Sequence, residues 1–153
     1  KDMKKNLILI TLLSLNLNSY ETAEKEKFND QEITYVVEMN AKKSSEEISQ
    51  FSEFYQRLVE GNEPDTFAWQ FFRSSDDKIF LIERYKDSSS ANQHIINISP
   101  GGISEEEFAM FSEHFEIEKI IVHGFATDKL KDALKEAGFS LEFRSPISGY
   151  SRK

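Results

Sequence analysis

The chain of 153 residues contains no cysteine, which excludes disulfide bonds, thiolate nucleophiles and cysteine-ligated metal sites. It also lacks a basic surplus, since its formal net charge is −8. Nucleic acid is therefore not an expected partner, because phosphate binding requires a basic surface. The three histidines show neither His-x-x-x-His nor Glu-x-x-His spacing, so the sequence predicts no metal site. No glycine-rich loop joins a strand to a helix, so no phosphate-binding loop is expected.

Long hydrophobic runs are missing as well. The longest, from Leu7 to Leu13, follows two lysines and is too short to span a bilayer. A basic start before a short apolar run is typical of a secretory signal peptide, although no Ala-x-Ala site follows. Residues 1–23 are therefore interpreted as a signal-like segment or, alternatively, an N-terminal extension that packs on the domain. We expect a periplasmic or secreted location if this segment is cleaved and a cytoplasmic one otherwise. Residues 24–32 form a charged linker.

Strands and helices alternate from residue 33 onward. β-branched and aromatic runs predict strands, whereas apolar residues at a spacing of three or four predict helices. The expected strands cover residues 33–40, 66–73, 79–85 and 117–126, and the expected helices cover residues 45–62, 88–97 and 104–115. The order β-α-β-β-α-β is the ferredoxin-like arrangement, an α+β fold with an antiparallel sheet. Residues 127–153 add a C-terminal helix, begun at Thr127 or Asp128, and a short strand at residues 139–143.

The strands carry apolar residues on both faces. In residues 66–73, Phe67, Trp69 and Phe71 alternate with Ala68 and Phe72. Successive strand residues point to opposite faces, so both faces of the sheet are expected to be buried. Helices cover one face, and a second copy of the chain is the expected cover for the other.

A specific sequence pattern runs through the middle of the chain. It comprises a Glu63-Pro64-Asp65-Thr66 turn, an aromatic strand that ends at Arg73, a Glu83-Arg84-Tyr85 strand end and His94 on the next helix. In this order, the pattern resembles the antibiotic biosynthesis monooxygenase (ABM) superfamily over residues 33–126.

The resemblance implies a homodimer in which two sheets pack face to face as a dimeric α+β barrel. It also implies a cofactor-independent monooxygenase that acts on a quinol or polyphenol-type aromatic with O₂. Deprotonation of a phenol gives an electron-rich anion that can itself reduce O₂, so the protein needs an apolar pocket, a base and donors for the oxyanion.

The candidate catalytic residues are His94 and Asn40. His94 titrates near neutral pH and lies on a helix that covers the sheet, while Asn40, at the end of the first strand, could donate to an oxyanion. Each also has an ordinary structural interpretation, His94 as a packed helix-surface side chain and Asn40 as a strand-end turn residue. His123, in the last strand of the domain, is favoured as a core or interface histidine.

The candidate substrate-binding residues are aromatic or basic: Trp69, Tyr85, Phe71 and Arg84. Trp69 could stack on a flat ligand or equally serve as a core aromatic, and an ion pair is the favoured role of Arg84. Glu83 and Arg84 are neighbours in a strand and point to opposite faces, so one of them must enter the covered layer.

Two other functions stay open. Haem-degrading relatives share the fold and use an Asn in the first strand, a Trp in the third and a His on the following helix. Asn40 and His94 fit two of these roles, but Tyr85 occupies the region where the Trp is expected, so haem is an alternative ligand. A non-catalytic module that binds small molecules in a stress response is the other alternative.

Overall fold

The structure, a computed structural model, describes residues 31–149. The signal-like segment and most of the predicted linker lie outside them. The elements are β1 (Ile33–Ala41), α1 (Ser45–Asn62), β2 (Thr66–Arg73), β3 (Ile79–Tyr85), α2 (Ser88–Ile98), α3 (Glu105–His114), β4 (Phe115–His123), α4 (Asp128–Glu136) and β5 (Leu141–Arg144). No helix among the described residues is long and apolar enough to cross a membrane.

The strands form one sheet in the order β2-β3-β1-β4-β5. The first four pair antiparallel, and β5 pairs with β4 in parallel. This is the predicted ferredoxin-like α+β fold with a C-terminal helix and strand. The predicted bounds of β2 and β3 are confirmed to the residue.

The helices begin where polar side chains satisfy their first backbone N–H groups. Ser44 and Glu47 form a reciprocal capping box at α1, and Asp87 accepts from two backbone N–H groups at α2. Thr127 caps α4. Ser104 precedes α3, but its side chain makes no capping hydrogen bond. The carboxylates in the first turn of α3 instead lie beside the positive end of the helix.

The predicted bounds of the last strand of the domain, residues 117–126, are wrong. β4 begins at Phe115, two residues before the predicted start, and ends at His123. Its pairing with β1 shifts between Glu38 and Met39, where a β-bulge interrupts the register. The bulge reverses the alternation, so that Ile117 and Ile120 share the helix-covered face. Strict alternation would have placed Ile117 and Ile121 on one face.

The main core lies between the sheet and the helices. It contains the alternate β1 residues Ile33, Tyr35, Val37 and Met39, each at most 3% exposed. The C-terminal extension joins the same core, since Leu130 and Leu134 of α4 are buried in it. One consequence is that α4 and β5 help to enclose the space above the sheet.

Candidate functional site

A narrow cavity of about 50 Å³ lies between the sheet and its helices. Most of its wall is apolar, and its few polar groups gather on β1, β2, β3 and the helices α1 and α2. These polar and aromatic lining residues are Tyr35, Tyr55, Trp69, Glu83 and His94. An apolar pocket with a few convergent polar groups is the usual form of a small-molecule site.

Glu63 holds His94 at the polar end of the cavity, where these lining groups gather. Its Nδ1 lies 2.9 and 3.1 Å from the two carboxylate oxygens of Glu63, and both side chains are 8% exposed. The Glu63 carboxylate accepts two further hydrogen bonds, from Asn97 Nδ2 at 3.1 Å and from Thr66 Oγ1 at 3.2 Å. The Glu63 carboxylate therefore fixes the imidazole ring and leaves Nε2 for the cavity.

These contacts set the charges of the pair. Burial alone would lower the pKa of His94, but the hydrogen bond to Glu63 and the charges of Glu83 and Glu63 outweigh it and raise that pKa. Burial would raise the pKa of Glu63, yet its bonds with His94, Asn97 and Thr66 lower it. These contacts favour the protonated form of His94 and the ionised form of Glu63. In its protonated form, His94 is a hydrogen-bond donor and a positive charge beside the cavity.

Glu83 is the second buried carboxyl, 5% exposed on the helix-covered face of β3. The Tyr85 hydroxyl, two residues along the same face, donates a hydrogen bond to Oε2 of Glu83. Burial is the largest cause that raises the pKa of Glu83 to about 7, and the charge of His94 opposes it. A carboxyl that titrates near neutral pH exchanges a proton under ordinary conditions, which is what a general acid or base requires.

Two donors beside Glu83 lack partners. The Tyr35 hydroxyl and the Trp69 indole N–H are buried and find no hydrogen-bond partner in the part of the chain that the structure describes. A buried donor left unsatisfied costs about 1–3 kcal/mol. Because both residues line the cavity, a ligand oxygen placed there would accept from them. Burial also raises the pKa of Tyr35, so its hydroxyl stays protonated as a donor.

The structure brings some of the predicted site residues together. Trp69 lies against His94, with ring centroids 5.1 Å apart, and Tyr85 is 5.7 Å from the same ring. Phe71 lies on the same face of the sheet but packs on Phe115 at 5.6 Å, away from the polar end.

Asn40 and Arg84 lie on the face of the sheet opposite to His94. For Asn40 this corrects the expectation that it serves the pocket, whereas the ion pair favoured for Arg84 is confirmed. The Asn40 amide donates to Glu118 at 2.9 Å, and Arg84 forms an ion pair with Glu32 at 2.6 Å. Strand parity is the reason, because each follows a residue whose side chain points into the core. The two residues assigned to haem-degrading roles, Asn40 and His94, therefore lie on different faces of the sheet. His123 is half-buried on that opposite face, too.

The sequence did not point to Glu63 or Tyr35 as site residues, and it placed either Glu83 or Arg84 in the covered layer without deciding between them. Glu83 could have been chosen, because it lies between Leu81 and Tyr85 on the apolar side of β3. Glu63 carried no such signal, since a glutamate before proline in a turn is ordinary and its contact with His94 spans 31 residues. In residues 31–149, no group of His, Asp and Glu side chains is arranged to hold a metal ion.

No protein-family model matches the sequence, and no curated protein matches it either. Solved structures are similar in fold. MupZ from Pseudomonas fluorescens has a TM-score of 0.60 and 19% identity, with 80% of this chain and 91% of MupZ covered. A conserved protein from Methanosarcina mazei Go1 has a TM-score of 0.49 and 22% identity over 63% of this chain and 94% of its own. SnoaB, a cofactor-independent oxygenase from Streptomyces nogalater, has a TM-score of 0.49 and 13% identity over 64% of this chain and 94% of its own.

The similarity to MupZ agrees with the class of fold that the order of the strands defines. The described chain is a ferredoxin-like α+β domain, and the likeness to MupZ extends over most of both chains. The ABM resemblance of the sequence agrees with that fold. A chemical activity has to be inferred from the residues that line the cavity, because the fold alone does not define one.

Proposed function

We propose that the protein is a cofactor-independent monooxygenase that oxidises a quinol or polyphenol-type aromatic. The observation that carries the proposal is one cavity with a carboxyl of pKa about 7 and two unpartnered donors, Tyr35 and Trp69, beside it. A base and oxyanion donors around an apolar space are what phenol activation requires. The resemblance to the ABM superfamily points to the same reaction.

Glu83 takes the place of His94 as the base. Ionised Glu83 accepts the phenolic proton, and the phenolate oxygen receives hydrogen bonds from the Tyr35 hydroxyl and the Trp69 indole N–H. Protonated His94, the form that its contact with Glu63 favours, places a positive charge nearby that stabilises the anion. The phenolate then transfers electrons to O₂. One oxygen atom enters the ring at a C–H carbon, the other leaves as water, and the substrate supplies all the electrons.

The cavity must widen before it accepts an aromatic ring. A cavity of about 150 Å³ holds benzene, three times the space present here. The present volume suits water, which the donors would bind until an oxygen-bearing ligand replaces it. Ligand binding is therefore coupled to movement of the wall.

The uncovered face of the sheet supports a homodimer. Phe72 is 47% exposed there, and its neighbours Phe80, Ile82 and Val36 are half-buried. Sheets that are apolar on both faces need a second cover. We infer that a second copy supplies it by sheet-to-sheet packing, as the resemblance implies.

The function is tested by O₂ uptake with a panel of dihydroxynaphthalenes and hydroquinones, and with ¹⁸O₂ to locate the label. One labelled atom in the product is expected, with a rate that rises through about pH 7 as Glu83 ionises. Glu83→Gln keeps the shape but cannot accept a proton, and it should lower the rate about 100-fold. Glu38→Gln, on the opposite face, is the matched control. If the label goes to peroxide alone, or Glu83→Gln is as active as Glu38→Gln, the proposal is wrong.

A further inference from the structure

The cavity crosses the sheet from strand to strand. Its lining includes a residue from each successive strand, with Glu83 on β3, Tyr35 on β1 and Ile120 on β4, and reaches Phe139 just before β5. The strand order β3-β1-β4-β5 makes this a continuous path. Neighbouring strands lie about 4.8 Å apart, so the path from β3 to β5 is about 14 Å long.

The two ends of this path differ in exposure and in chemistry. At the β3 end, Glu83 and His94 are 5% and 6% exposed. At the other end the lining is apolar and reaches the surface, where Ala137 is exposed and Phe139 is half-buried. The polar groups are therefore at the closed end, and the mouth lies beside the C-terminal extension.

The short helix α4 and the turn that follows it form the wall of the cavity at this mouth. α4 has nine residues, and its buried side chains are Leu130 and Leu134. Gly138 follows with φ +81°, and a Cβ built there would meet no atom within 4 Å. A left-handed glycine joins α4 to β5 and lets the chain turn sharply above the mouth.

We propose that the C-terminal extension, through Ala137 and Phe139, forms the mouth of the site and selects an elongated ligand with an oxygen at one end and an apolar body. The phenolic oxygen enters first and reaches Tyr35 and Trp69, while the apolar body lies over β1 and β4. This inference rests on the proposed function, because it names the shape of the substrate for the same cavity.

Binding of 4-alkylphenols, from phenol to 4-hexylphenol, tests the proposal without turnover. Trp69 is the chain's one tryptophan and lies at the closed end, so its fluorescence reports on occupancy. Affinity should rise about three- to four-fold for each added methylene until the chain reaches the mouth. Ala137→Phe narrows the mouth and should weaken 4-hexylphenol at least ten-fold while phenol binds as before. Phe139→Ala should extend the range to longer chains.

Lys135→Phe is the matched control, since it adds the same ring to an exposed position of α4 outside the cavity lining. The proposal is overturned if affinity does not depend on chain length, or if Ala137→Phe weakens phenol and 4-hexylphenol equally. The same titrations under nitrogen separate the two claims. If the native protein selects ligands by chain length but takes up no O₂, the proposal about the mouth of the site stands and the proposed monooxygenase function is rejected.

Discussion

Two carboxyl groups on opposite faces of the same sheet have pKa values that are shifted in opposite directions. On the helix-covered face, burial raises the pKa of Glu83 to about 7. On the opposite face, Glu142 of β5 accepts hydrogen bonds from Arg144 and Lys119, which lower its pKa to about 2. Desolvation dominates on one side and ion pairing on the other. Only the first arrangement leaves a carboxyl able to exchange a proton near neutral pH, which is why we propose that the chemistry takes place between the sheet and the helices.

The largest expected effect comes from removing a member of the buried ion pair. His94→Ala leaves the Glu63 carboxylate buried without its main partner and should lower the free energy of unfolding by about 3 kcal/mol. His123→Ala, on the opposite face, should cost under about 1 kcal/mol. Urea unfolding of both variants measures the difference, and equal losses would remove the distinction between the faces.

Stability should depend on pH in a direction set by the same site. Since the folded pKa of Glu83 is about 7, the folded state keeps a proton that the unfolded chain loses above about pH 4.5, so stability falls as pH rises between these values, by roughly 3 kcal/mol. The raised pKa of His94 acts in the same direction, because its contribution is present below about pH 6.5 and is lost as pH rises through its folded pKa. Glu63, whose pKa is lowered, contributes above about pH 4.5 and loses its contribution as pH falls.

Maximum stability is therefore expected near pH 5. Urea midpoints from about pH 4 to pH 8 check this expectation. Glu83→Gln should remove most of the decline toward pH 8, whereas Glu142→Gln should not. A native curve that is flat between pH 5 and pH 8 would show that Glu83 titrates as an ordinary carboxyl.

The opposite face should respond to a charge at its apolar centre. Ile82→Asp places a carboxylate in the middle of the proposed dimer contact and should shift the protein from dimer to monomer in gel filtration. Phe54→Asp, on an exposed position of α1, should leave the elution volume unchanged. Elution of the native chain as a monomer at all concentrations would refute the homodimer.

The smallest effect has an unusual sign. Tyr35→Phe deletes a buried hydroxyl with no partner among the described residues and should stabilise the free protein by up to about 1 kcal/mol. The same change should weaken phenol binding, because one donor to the ligand oxygen is lost. Paired thermal unfolding and titration measure both. A loss of stability on Tyr35→Phe would mean that the hydroxyl serves the fold.

The sequence predicted the order of the elements because β-branched runs and caps act locally. Thr66–Arg73 and Ile79–Tyr85 were identified to the residue for that reason. The bulge in β4 was not visible, since a shift of register depends on pairing with β1 and leaves no local signal.

The site was predictable only in part. His94 and Trp69 were found because a helix position and an aromatic strand placed them toward the sheet. Asn40 was assigned to the pocket, but the alternation of side chains along β1 places it on the opposite face of the sheet. The role of Glu63 depends on its contact with His94, 31 residues further along the chain. Side chains that meet through tertiary packing cannot be paired from spacing alone.

The most direct test of the central claim is the titration of Glu83 itself, by NMR of the ¹³C-labelled side-chain carboxyls in the native protein and in Glu83→Gln. One carboxyl should titrate near pH 7 in the native protein and be missing from the variant. If every carboxyl of the native protein titrates below about pH 5, close to the values of unperturbed groups, Glu83 is not a base tuned by burial and the proposed site loses its chemistry.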